Sequence, residues 1–153
     1  MKLYLARHGD AVSSNIDPER PLSKLGCSDV RNVAASLEAH QISVEHIWHS
    51  TKLRAQQTAE ILSEAVHSAN AASARTGLSP NDSTHDLAIE LEAYNADIMI
   101  VSHLPFVGIL TSLLTTGRKT TSPLDFTAGS IACLNREDSG RWQVGWFISP
   151  ALI

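Results

Sequence analysis

Two cysteines, Cys27 and Cys133, are the only thiols in this 153-residue chain, and they do not form a Cys-x-x-Cys pair. That argues against a structural zinc site and makes a reducing compartment the simpler expectation. A basic excess is missing as well. Twelve lysines and arginines face 16 acidic residues, for a formal net charge of -4. This excludes a nucleic-acid binder driven by overall charge, so an anionic ligand has to be held by a few local arginines. Long apolar runs are missing too. The four apolar residues between Lys2 and Arg7 are too few for a signal-peptide core, and no later run spans a membrane. A cytoplasmic protein is expected, with neither nucleic acid nor membrane as a partner. There is no internal repeat and no low-complexity tract. His40, His46, His49, His67 and His85 lack metal-ligand spacing, and His46 and His49 fall on opposite faces of a strand. No metal or cofactor is expected.

What is present is an alternation of short apolar runs and helical periodicity over a length that suits one domain, residues 1–153. Residues 2–6 read as a buried strand, 10–21 as a loop punctuated by Pro18 and Pro21. From Ser23, Val30, Val33, Ala34 and Leu37 repeat at helical spacing, with Cys27 one turn earlier. Val44 to His49 is a short strand candidate. Ser50 can cap a second helix whose buried stripe is Ala55, Thr58, Ala59, Leu62 and Val66. Residues 68–86 read mostly as loop, with room for a short strand near Arg75, and 87–94 as a short helix. Asp97 to Ser102 is a fully buried strand. Pro105 suits the first position of a helix carrying Val107, Leu110, Leu113 and Leu114. Two last strands, "SIACL" and "WQVGWFIS", are joined by a turn at Ser139-Gly140 and are expected to be antiparallel to each other. Trp48, Trp142 and Trp146 are assigned to the core or its rim. The alternation predicts an α/β fold with a mostly parallel sheet, and such sheets bind ligands beyond the carboxyl ends of their strands.

Three of those ends agree in chemistry. The first strand stops at Arg7-His8-Gly9. The second stops at His49-Ser50 and leads into a helix whose first turn holds Arg54. The strand at 97–102 stops at Ser102-His103, directly before a helix. Two arginines, two histidines and two helix N-termini thus share one sheet edge, and all favour an anion. Arg20 lies in a polar loop next to Glu19, where an exposed ion pair is the alternative, and Asp10 reads as a loop cap.

"ARHGD" at the start, "RPLSKLGCSD" at 20–29, "HSTKLRAQQTAEIL" at 49–62 and "VSHLPFVGIL" at 101–110 resemble the histidine phosphatase superfamily, and within it the small SixA-like branch of phosphohistidine phosphatases. The resemblance spans nearly the whole chain and is weakest at 68–96. It implies a single histidine phosphatase domain, a three-layer α/β/α sandwich of the phosphoglycerate-mutase type. It also implies a phosphate pocket made of Arg7, His8, Arg54 and His103, with His8 as nucleophile. Arg20 matches a further arginine of the branch and, with Gly9, is expected at the substrate.

The chemistry suits those residues. A neutral imidazole at His8 can attack phosphorus and become a phosphohistidine. Planar guanidinium forks at Arg7 and Arg54 match phosphoryl oxygens. His103 can donate to the group in transfer, and Gly9 lets the backbone turn close to the phosphate. Larger relatives carry a carboxylic general acid. Here Leu104 follows His103 and "RTGLSPN" has no glutamate, leaving Asp82 and Asp86 as the nearest carboxylates. An alkoxide needs a proton to leave, whereas a protonated phosphoimidazole releases neutral imidazole, whose conjugate acid has a pKa of about 6.5. The expected substrate is therefore a phosphohistidine on another protein, such as a histidine-phosphotransfer domain of a bacterial phosphorelay. Two alternatives stand beside it: a phosphomonoesterase or mutase acting on a small ester, and a non-catalytic phosphoprotein-binding module.

Overall fold

The computed structural model describes residues 1–153. In chain order the elements are β1 (Lys2–Arg7), α1 (Lys24–Glu38), β2 (Ser43–Val44), β3 (His46–His49), α2 (Leu53–Leu62), β4 (His67–Ser68), β5 (Ser73–Ala74), α3 (Thr84–Glu92), β6 (Ile98–Ser102), α4 (Phe106–Thr116), β7 (Ile131–Arg136) and β8 (Trp142–Ile148). Six strands form one sheet in the order β5-β3-β6-β1-β7-β8, and β2 and β4 pair apart from it. The pairs β3/β5, β3/β6 and β1/β6 are parallel; β1/β7 and β7/β8 are antiparallel.

Strand periodicity builds the layers. In β1, Tyr4 and Ala6 point to the face covered by α1 and α2, where they join Val30, Val33, Leu37, Ala59 and Leu62. Leu3 and Leu5 point to the other face and join Leu87, Leu91, Phe106, Val107 and Leu110 from α3 and α4. Each fully buried aliphatic side chain contributes about 1.5–3 kcal/mol of transfer free energy. Both faces are covered, which is why β6 reads as an unbroken apolar run: all five of its residues are buried. Trp48 and Trp142 lie in the core, and Trp146 is tilted against Tyr4 at its rim.

The departures from the sequence reading are local. The expected strand Val44–His49 is broken at Glu45, whose amide bonds Asp97, so that Val44 pairs sideways with β4 while His46–His49 enters the main sheet. The third helix starts earlier than residue 87, because the Ser83 side chain accepts from the Asp86 amide and caps it. Val66 is buried, but it lies beyond the end of α2. Pro105 is the N-cap of α4 and precedes the first helical position. Ser50 does not cap α2. Lys52 takes that place without a side-chain bond of its own, and the Ser50 hydroxyl, which lies against His103, accepts only from the Lys52 amide ahead of the helix. The hairpin turn at Gly140 has φ of 85°, the left-handed region that favours glycine.

Candidate active site

Register assembles the site. Arg7 on β1 lies opposite Ser102 on β6, and His49 on β3 lies opposite Val101. The ladders continue one residue past the strands: the His8 amide donates to Ser102 O at 2.9 Å and the Ser50 amide to Val101 O at 3.1 Å. His8, Ser50 and His103 are thereby set side by side at the carboxyl edge. β7 runs the other way, so its start lies at this same edge. The Arg7 amide donates to Ser130 O at 3.0 Å, and one Arg7 Nη donates to Phe126 O at 2.7 Å. The chain before β7, including Asp125, is carried to the site by that reversal.

His8 is 9% exposed. Its Nδ1 donates to Gly9 O at 2.7 Å, which leaves a lone pair on Nε2, and Arg54 Nε donates to that atom at 3.2 Å. Burial, followed by the charges of Arg54, Arg7 and Arg20, pushes the His8 pKa down to about 4, against the opposing effect of the Gly9 carbonyl. His103, 1% exposed, packs edge-on to His8 with 4.9 Å between ring centres. Its pKa is pushed down to about 3 by burial first, then by His8, Arg54, Lys52 and Arg20. Both imidazoles are neutral at pH 7. Two buried side-chain polar atoms in the protein have no hydrogen-bond partner, Arg7 Nε and His103 Nδ1. Unmet buried groups are costly and uncommon, and both belong to this one edge. A tetrahedral oxyanion is an acceptor that could meet them.

Arg54 is half-buried on the first turn of α2, its pKa lowered by burial and by Arg20. Arg20 is held in the left-handed region at φ 49°, with its amide bonded to Asp17 O and its Nε to Val12 O at 3.1 Å. That conformation costs about 1–3 kcal/mol in a non-glycine residue, and it brings the Arg20 charge within range of His8, His103 and Arg54.

Gly9 has a different task from the one its position suggests. Its amide is taken by Thr58 Oγ1 at 3.0 Å and its carbonyl by His8, so it turns no free amide to a ligand. A Cβ here would meet Val30 Cγ2 at 2.7 Å and Gly26 O at 3.1 Å. Glycine is needed so that α1 can close on the strand end. Thr58 then donates to Arg54 O at 2.7 Å, tying the loop of the nucleophile to the helix of the arginine.

Asp82 and Asp86 do not join the site. Asp82 accepts from the Ser79 amide, and both line a separate cleft of about 280 Å³ with Arg75 and Glu90. The carboxylates that offset the burial of Arg7 are Asp125 and Asp10, and Asp10 is itself bonded to Ser23 Oγ at 2.5 Å. Sequence reasoning missed Asp125, and it missed Ser50 as a site residue. Ser50 was legible only as a helix cap, and no spacing pattern points to Asp125.

Residues 3–78 match the histidine phosphatase superfamily (branch 1). The chain is 32% identical to phosphohistidine phosphatase SixA of Escherichia coli (strain K12), over 98% of this chain and 94% of that protein. It is 29% identical to a phosphohistidine phosphatase SixA homolog of Haemophilus influenzae, over 88% and 87%. The solved structure of the protein histidine phosphatase SixA complexed with tungstate superimposes with a TM-score of 0.87 at 30% identity, covering 99% of both chains. With this fold, these four residues at one sheet edge and end-to-end similarity to SixA, the chain belongs to the histidine phosphatase superfamily.

Proposed function

We propose that this protein is a phosphohistidine phosphatase, one histidine phosphatase domain acting in the cytoplasm. It removes the phosphoryl group from a histidine-phosphotransfer domain of a bacterial phosphorelay through a phosphohistidine intermediate on His8. The observation that carries the reading is the state of His8: a neutral ring whose Nε2 lone pair is kept free of protons, among guanidinium groups and beside the unmet buried Nε donor of Arg7. Similarity to SixA supports it, as does the binding of tungstate, a tetrahedral oxyanion, by the related structure.

In this mechanism His8 Nε2 attacks phosphorus in line while the bond to the departing nitrogen breaks. Arg54, Arg7 and Arg20 balance the charge on the equatorial oxygens, and His103 donates to one of them. The leaving imidazole already carries its proton. Water then attacks phosphorus, and His8 departs as the second imidazole. No carboxylate is hydrogen-bonded to Arg7, His8, Arg54 or His103, which suits a leaving group that needs no donor. Arg7, Arg20 and Arg54 around His8 supply the positive charge.

The test is a leaving-group series at pH 7. Phosphohistidine peptide should be cleaved well, aryl phosphates slowly and alkyl phosphates scarcely, before and after exhaustive chelation. Brief incubation with a labelled phosphoramidate should trap an acid-labile, base-stable adduct that His8→Ala loses. Equal kcat/KM on alkyl esters and phosphohistidine would overturn the reading and direct the search for a proton donor to Asp125. Label on another residue would overturn the assignment of His8.

A further inference from the structure

We infer that Ser50 sets the tautomer of His103: its hydroxyl donates to Nε2, so the single ring proton sits on Nδ1 as a donor to the phosphoryl group in transfer. The final clause rests on the proposed phosphatase reading; the tautomer itself does not. The argument is a count of donors and acceptors. Ser50 has no solvent exposure. Its Oγ accepts from the Lys52 amide at 3.2 Å and lies 2.5 Å from His103 Nε2. A serine hydroxyl has one proton to give, and no other acceptor is bonded to this one. Given to Nε2, it meets both groups. The neutral ring must then carry its proton on Nδ1, the atom that has no partner and no contact with water.

The opposite arrangement fails the same count. With the proton on Nε2, Ser50 would accept twice and its own proton would point at nothing. Nδ1 would also keep an unmet lone pair. Two buried groups would go unsatisfied where the first arrangement leaves one. An Nδ1 lone pair would also repel a phosphoryl oxygen. The one group left unmet is a donor, like the other unpartnered atom of the site, Arg7 Nε. Ser50 is therefore a positioning residue. It acts through His103 while its oxygen accepts from the Lys52 amide ahead of α2.

The test reads ring nitrogens directly. In protein labelled with ¹⁵N-histidine and free of any substrate, His103 should show a protonated Nδ1 and an unprotonated Nε2 between about pH 5 and 8. A protonated Nε2 in the native protein overturns the inference. In Ser50→Ala the resonances should move toward a mixture of tautomers. On a phosphohistidine peptide, kcat should fall roughly 10- to 100-fold with KM little changed, as for loss of a donor aimed at the transition state. Ser50→Thr, which keeps the hydroxyl, should restore the Nδ1–H tautomer and most of kcat. An Ala variant that keeps the native tautomer overturns the inference whatever its rate. If that variant does not fold, the native spectrum still decides. Because the tautomer is read without substrate, its failure is distinct from a failure of the leaving-group series.

Discussion

His8 works because it is hard to protonate. A histidine in water would be largely cationic at pH 5. Here burial and three arginines hold its pKa at about 4, while the Gly9 carbonyl fixes which nitrogen keeps the lone pair. The acid limb of kcat/KM should therefore lie near pH 4, with no loss of rate between pH 7 and 5.5 that belongs to the free enzyme. Arg54→Ala removes a charge that lowers this pKa and the Nε donor to Nε2, so the limb should move up toward 6.5. Rate should also fall by roughly 10²–10³, as for loss of one donor to a transition-state oxyanion. A His8 that titrates between 6 and 7 in the native protein, followed by NMR, would refute this. At this scale the gathering of these side chains was largely readable. Arg7, His8, Arg54 and His103 stand at the ends of recognisable elements, and strand ends of an α/β sheet gather on one edge. Ser50 and Asp125 were not readable in these roles, because a hydrogen bond across 53 residues and a loop returning through an antiparallel strand have no local pattern.

Among the elements, α1 makes a close joint with the loop that follows β1. The helix begins at Ser23, whose side chain caps it by accepting from Gly26, and it rests directly on Asp10. A Cβ on Gly26 would lie 2.0 Å from Asp10 O and 2.8 Å from Asp10 N. Backbone cannot yield as a side-chain tip can, so α1 or the loop must shift. Gly26→Ala should destabilise the fold by about 1–3 kcal/mol or more and lower kcat, because the displaced loop carries His8. Gly140→Ala makes the contrast. Its φ of 85° strains any side chain, but nothing lies within 4 Å of the added atom. It should cost about 1 kcal/mol and leave kcat unchanged. Thermal unfolding and a kinetic assay on both variants check this. Equal loss of activity in the two would mean that the joint does not position the nucleophile.

For the whole molecule, the same two buried histidines couple the site to stability. Folded, His8 and His103 have pKa values of about 4 and about 3. Unfolded, each returns to about 6.5. Between these values the unfolded chain binds more protons, so stability rises with pH across that window and is lost as pH falls below about 6.5 toward 4. Tm measured from pH 7 to pH 4 should drop, and His103→Asn should flatten the slope. An unchanged slope in that variant would show that His103 is not held neutral.

How the whole assembles marks the limit of the sequence. Local repeats of 2.0 and 3.6 residues determined the alternation of strands and helices, and the gathering of strand ends in an α/β sheet pointed to the edge on which charge collects. Tertiary structure decided the rest. It split Val44–His49 between two sheets and withdrew Asp82 and Asp86 to a cleft of their own. It made Gly9 a packing residue of α1 and set the Ser50 hydroxyl against His103. The physical reason is common to all four: each depends on which residues distant in the chain meet, and for Ser50 and His103 the register between β1, β3 and β6 sets that meeting.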